Sequence, residues 1–143
     1  MPKEDKYIKD FDSWNTQAKI LDSCVSNEFF HEREIWWCAL GVNIGSEQDG
    51  KNDSFERPVL IIRKIYSDLL LVAPLTSKIK DEHDRISTNS SGQEGQILLS
   101  HLRTISNKRL LRKVCRIKEQ TFYKVIIRLV LPLLKCLEIE TPP

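Results

Sequence analysis

The sequence has no C-x-x-C pair: Cys24, Cys38, Cys115 and Cys136 stand far apart and none adjoins a histidine. Metal clusters and dithiol redox centres lose support, and reduced, mostly packed thiols are the expectation. Nucleophile chemistry of the hydrolase kind is equally short of parts. There is no G-x-S-x-G elbow, and His31, His83 and His101 fall in no triad order with a serine. Only five glycines occur, and Gly41-x-x-x-Gly45-x-x-x-x-Gly50 runs into Lys51-Asn52 rather than a helix, so it is neither a Walker loop nor a dinucleotide fingerprint. Long apolar runs are absent too. Near the C-terminus the stretch Leu129 to Leu134 is closed by Arg128 and Lys135, too short to span a bilayer. The opening Met1-Pro-Lys-Glu-Asp-Lys6 leads into no apolar h-region, so a cytoplasmic protein without membrane partners is expected.

With 41% hydrophobic and 29% charged residues over 143 positions, the chain has the composition and length of one ordinary globular domain. Its formal net charge of +2 is uninformative, but its distribution is not. Residues 95 to 118 hold Arg103, Lys108, Arg109, Arg112, Lys113, Arg116 and Lys118 with no acid, whereas residues 1 to 34 hold five Lys/Arg against eight Asp/Glu. Two readings stand side by side: a phosphate-binding block, or a surface paired with the acidic N-terminal third.

From Asp5 to Asn27, Tyr7, Phe11, Trp14, Ala18, Leu21 and Val25 recur at spacings of three and four, one apolar stripe of an amphipathic helix. Beyond Arg33 the pattern changes to short β-rich runs. Strands are expected at Glu34–Leu40, at Pro58–Arg63 with the proline first, at Leu69–Ala73, at Gln96–Leu99 and at Lys113–Ile117. Gly41 to Glu56 reads as a long polar loop in which Glu47 and Asp49 are solvated carboxylates, and the Ser/Asn/Gly-rich stretch from Asp81 to Glu94 as a mobile loop. Lys118 to Leu137 reads as a closing helix that buries Phe122, Val125, Ile126, Leu129, Val130, Leu133 and Leu134, with Pro132 kinking it or beginning its last turn; the cluster Val125-Ile-Ile127 leaves a strand as the competing reading. The fold class is therefore α+β, with a small, strongly bent antiparallel sheet or partial barrel as the economical closure.

Polar groups gather at strand ends. Glu56-Arg57-Pro58 opens one strand, Pro74-Leu-Thr-Ser77 ends another, and Leu99-Ser-His-Leu-Arg-Thr-Ile105 follows a third. The proline after Arg57 pushes its backbone toward the extended region and limits where the guanidinium points, while Thr76 and Ser77 offer hydroxyls to phosphate oxygens. In order, Arg33-Glu-Ile-Trp-Trp37, Asn43-Ile-Gly-Ser-Glu-Gln-Asp-Gly50, Arg57-Pro-Val-Leu-Ile61, Ala73-Pro-Leu-Thr-Ser-Lys78 and Leu98-Leu-Ser-His-Leu-Arg-Thr-Ile105 with Lys108-Arg-Leu110 resemble the MazF/PemK toxins of bacterial type II toxin-antitoxin modules. The resemblance covers roughly residues 32 to 137 and leaves the N-terminal helical extension, residues 1 to 31, outside.

That resemblance implies a small SH3-like, CcdB-like antiparallel barrel with a C-terminal helix, forming a homodimer. It also implies metal-independent, cofactor-free cleavage of single-stranded RNA such as mRNA, inhibiting growth until a cognate antitoxin protein occupies the groove. On this reading Arg57 and Thr76 are catalytic. Ser46, Glu47 and Gln48 lie on the loop that closes over RNA, and Ser77, Ser100, His101 and Arg103 contact it. His101 departs from the glutamine expected there, and Lys51 to Phe55 is an extension that separates the glycine-rich loop from Arg57. Chemically, RNA brings its own 2′-hydroxyl nucleophile, so an enzyme needs only to align it, stabilise charge on phosphorus and handle two protons, leaving a 2′,3′-cyclic phosphate and a 5′-hydroxyl. Arg57 suits the electrostatic task; the general base is not identified, though His101 is the chemically apt candidate by residue type. A non-catalytic RNA-binding or gyrase-binding barrel and a purely structural role for the basic stretch are the alternatives, and the N-terminal helix either packs on its own barrel or docks a partner.

Overall fold

The strand runs Val59-Leu-Ile-Ile62 and Leu69 to Leu75 show no alternation, which requires a sheet covered on both faces. The computed structural model, which describes residues 6–26 and 29–138, has that arrangement. Its strands are β1 (Glu34–Ala39), β2 (Glu56–Lys64), β3 (Leu69–Thr76), β4 (Arg85–Ser90), β5 (Gln93–Leu98), β6 (Arg103–Ser106) and β7 (Leu110–Arg116), flanked by helices α1 (Phe11–Ser23) and α2 (Glu119–Glu138). All strand pairs are antiparallel, in the order β4-β5-β3-β2-β1-β7, with β6 pairing to the first half of β3 and β5 to its end. The sheet curls into a half-barrel.

Alternate residues feed two cores. Trp36, Cys38, Val59, Ile61, Leu70 and Val72 pack with Phe30, Leu40, Ile105 and Leu110. Ile35, Leu60, Ile62, Ala73 and Leu75 point the other way and pack with Ile86, Ile97, Leu99 and Ile117 under Val125 of α2, helped by half-buried Phe122, Ile126 and Leu129. The closing segment is thus a helix, not a strand, and Pro132 lies inside it. Only its first half is covered: Val130, Leu133 and Leu134, expected inside, are exposed.

Three further expectations need correction. The stretch from Asp81 to Glu94 is not a mobile loop. Ser90 faces Gln93 across a two-residue turn in which Ser91 and Gly92 both have positive φ, so β4 and β5 form a tight hairpin whose polar side is solvated. The N-terminal helix is shorter than its apolar stripe, because the Asp10 side chain caps it by accepting from the Ser13 amide at 3.0 Å and Cys24 is extended. Of the thiols, Cys38 is buried, Cys115 is half-buried, and Cys24 and Cys136 are exposed. Among the described residues no helix is long and apolar enough to cross a membrane, and no cluster of His, Cys, Asp and Glu could hold a metal ion.

Candidate functional site

The loop after β1 is braced by its own side chains. Asn43 donates its amide to the carbonyls of Leu40 and Gln48, its backbone N–H goes to Asp49 Oδ1 at 2.6 Å, and the Glu47 carboxylate accepts from the Ile44 amide. Gly50 permits a close return, since a Cβ there would lie 1.7 Å from the Phe55 carbonyl oxygen. The extension Lys51 to Phe55 is a compact excursion closed by a bridge between Lys51 and Glu56, and it delivers the Phe55 ring to Trp14 of α1 at 5.6 Å. Trp14 also lies over the Arg109 guanidinium and against Gly41. The N-terminal helix therefore packs on its own half-barrel beside this loop.

Arg57, near the start of β2, is half-buried, and burial lowers its pKa against the opposing field of Asp49 and Tyr7. Its Nε–H donates to the Asp49 carbonyl at 2.7 Å and Nη1 to the Leu75 carbonyl at 3.0 Å. Neither bond is to a carboxylate, and Nη2 has no partner among the described residues. The β2–β3 ladder begins with Val59 opposite Pro74; Arg57 lies two residues before Val59 on β2 and Thr76 two residues after Pro74 on β3, where Thr76 pairs with Gln96 of β5. The Thr76 hydroxyl accepts from the Lys78 amide at 3.2 Å. Arg57 opens into a cleft of about 860 Å³ lined also by Tyr7, Glu47, Gln48, Asp49 and Lys78.

A second cleft of about 300 Å³ is lined by Glu47, Gln48, Ser100, His101 and Arg103. Glu47 and Gln48 line both clefts. Ser100 donates to the Asp84 carboxylate, which that bond holds below the usual carboxylate range. Arg103 reaches the Asn43 side-chain oxygen at 3.5 Å. Of the residues singled out from sequence, Arg57, Glu47, Gln48, Ser100, His101 and Arg103 thus line two clefts that share Glu47 and Gln48. Ser46, Thr76 and Ser77 do not line either.

The basic stretch is largely spoken for. Arg112 makes a two-pronged pair with Glu56 at 3.1 and 2.9 Å, and Lys113 pairs with Glu34 at 2.6 Å. Lys108 donates to the Asp22 carbonyl, and Arg109 to those of Ala39 and Leu40. Of these cations only Arg103 lines the second cleft. Sequence reasoning missed Tyr7, Lys9 and Asp49. The Asp49 side chain, expected to be solvated, is only 11% exposed and accepts from Tyr7 and Asn43 while pairing with Lys9.

The family model described as "PemK-like, MazF-like toxin of type II toxin-antitoxin system" matches residues 31–132. Among solved structures, MazF of Deinococcus radiodurans superposes with a TM-score of 0.64 at 20% identity, covering 76% of this chain and 99% of that one. The MazE-MazF structure from the same organism gives 0.58 at 16% identity, covering 76% and 98%. A mycobacterial endoribonuclease in complex with its cognate antitoxin gives 0.54 at 13%, covering 80% and 100%. At these identities the structures establish the fold. No curated protein matches the sequence.

Proposed function

The chain belongs to the PemK-like, MazF-like toxins of type II toxin-antitoxin systems, and from that premise we propose that it cuts single-stranded RNA at short sequence motifs without a metal ion. One observation carries the reading. Arg57 is half-buried and lines a cleft, fixed by two backbone carbonyls and, among the described residues, free of any carboxylate partner, so its charge and its unused N–H groups are open to a phosphate. In the proposed reaction the 2′-oxygen forms a bond to phosphorus as the bond to the 5′-oxygen breaks. A base takes the 2′ proton and an acid protonates the leaving 5′-oxygen. Arg57 stabilises the extra charge on the phosphoryl oxygens, and Thr76, just past the end of the same ladder on β3, holds a non-bridging oxygen. His101 lines the neighbouring cleft rather than that of Arg57, which supports base contact over proton transfer. On this reading Glu47 and Gln48, which line both clefts, follow the RNA strand from one to the other, with Ser46, Ser77, Ser100 and Arg103 as flanking contacts.

On the same reading a cognate antitoxin covers these clefts, and a second copy of the chain pairs with the first; the exposed Ile127, Val130, Leu131 and Leu133 of α2 offer apolar surface for such association. The test is direct. The purified chain, incubated with single-stranded RNA and excess chelator, is expected to yield 2′,3′-cyclic phosphate ends, and Arg57→Ala to lower the rate by about 10²–10³. Intact RNA combined with salt-sensitive binding would move the assignment to a non-cutting RNA-binding barrel.

A further inference from the structure

The segment just before α1 lies outside the residues matched by the family model, yet it touches the site at several points. Lys9 sends its ammonium to the backbone carbonyls of Asn43 and Gly45, the latter at 3.0 Å, and to the Asp49 carboxylate at 3.4 Å. Tyr7 donates its hydroxyl to Asp49 Oδ2 at 3.0 Å. A single cation thus ties the two arms of the loop, residues 43–45 and residue 49, to each other. The Asp49 carbonyl is in turn the acceptor that fixes Arg57 Nε.

We propose that Lys9 and Tyr7 are positioning residues for Arg57, acting through Asp49 to hold the loop and the guanidinium in cleavage geometry before RNA arrives. The proposal rests on the nuclease reading. Without the Asp49 carbonyl, Arg57 keeps only its bond to Leu75, and one anchor lets a guanidinium swing where two hold its plane. The clamp is itself anchored. Asp10 caps α1 directly after Lys9, Trp14 packs the helix on Gly41, Phe55 and Arg109, and Lys108 holds its far end through the Asp22 carbonyl. Burial, the hydrogen bond to Asp49 and its charge raise the Tyr7 pKa, and a phenol is a donor at neutral pH in any case. The Lys9 side chain is 24% exposed, which leaves the ammonium under-solvated and favours the carbonyls that face it.

The experiment uses the full-length chain with Lys9→Met, Lys9→Arg and Tyr7→Phe. Two quantities are read: single-turnover cleavage of an RNA oligonucleotide across RNA concentrations, and proton exchange at Arg57 Nε–H by ¹⁵N spectroscopy, with the amides of Val59 and Leu60 as internal controls. Lys9→Met is expected to slow cleavage at saturating RNA by about tenfold, to shift half-saturation by less than about threefold, and to speed exchange at Arg57 Nε–H while the controls hold. Lys9→Arg should recover most of the rate, and Tyr7→Phe should show a smaller effect of the same kind. Wild-type cleavage by Lys9→Met, a change in half-saturation alone, or exchange quickened equally at Val59 and Leu60 would overturn the proposal. Should the unaltered chain leave RNA intact, the nuclease reading falls, and exchange at Arg57 Nε–H alone decides the clamp: quicker in Lys9→Met sustains it, unchanged refutes it.

Discussion

Arg57 makes two backbone bonds in directions that differ by the geometry of its own fork, Nε to Asp49 and Nη1 to Leu75, and this uses a property that lysine lacks. An ammonium can reach one carbonyl or the phosphate but cannot do both from a fixed plane. Arg57→Lys is therefore expected to fall close to Arg57→Ala, retaining charge but losing at least about tenfold in cleavage rate, with little change in melting temperature. A lysine variant within twofold of wild type would mean that charge alone suffices and that the two anchors are incidental. The same residue shows what local sequence can convey. Arg57 before Pro58 signals a restrained arginine, and restraint is what the structure displays. Its agents are the carbonyls of Asp49 and Leu75, the second of them eighteen positions away, and no residue-type pattern encodes a carbonyl contact of that kind.

At the scale of elements, α1 has no fully buried residue, so its docking depends on a few close fits. Gly41 is the tightest: φ is +83° and a Cβ would come within 2.3 Å of the Trp14 ring. Gly41→Ala is expected to cost about 1–3 kcal/mol through backbone strain and overpacking, and to lift α1 from the half-barrel. Trypsin should then cleave at Lys19 faster while sites in the sheet remain protected. If protection at Lys19 is unchanged, α1 is held by contacts other than Trp14. Periodicity makes the helices legible in the sequence, and apolar runs do the same for β1, β2 and β3, because burial on one face or two leaves a direct imprint on residue type. β4 and the start of β5 are not legible that way. Their hairpin is polar along much of its length, and the informative signal was the Ser91-Gly92 turn rather than hydrophobicity. β6 spans only four residues, too few to establish a period. The clamp from Lys9 to Asp49 joins positions forty apart and depends on where α1 comes to rest, so only the fold reveals it.

For the whole molecule, the uneven charge along the chain becomes a set of cross-strand ties converging on the edge strand β7. Lys113 binds Glu34 of the adjacent β1, and Arg112 reaches over Trp37 to Glu56 of β2, one strand further in. Glu34 is 3% exposed and Glu56 9%. Burial alone would raise the Glu34 pKa, but Lys113, the His31 amide and the Trp36 indole N–H outweigh it and leave the carboxyl below its ordinary value. For Glu56 the bond from Arg112 is the largest influence and lowers the pKa despite burial. A carboxyl whose folded pKa lies below its unfolded value of about 4.3 adds stability that is fully present above that value and fades as pH falls through the folded one. Acid should therefore weaken the attachment of β7 before the rest of the sheet, whose other pairings carry no such buried carboxylate. In hydrogen exchange between pH 7 and pH 3.5, corrected for the intrinsic rate at each pH, the amides of β7 are expected to lose protection ahead of those of β2 and β3. Glu34→Gln with Glu56→Gln should lower the melting temperature at pH 7 and shrink its drop on acidification, because the double variant has already lost what protonation removes. An unchanged drop in that variant would place the acid-sensitive carboxylates elsewhere and reduce the two ion pairs to surface contacts.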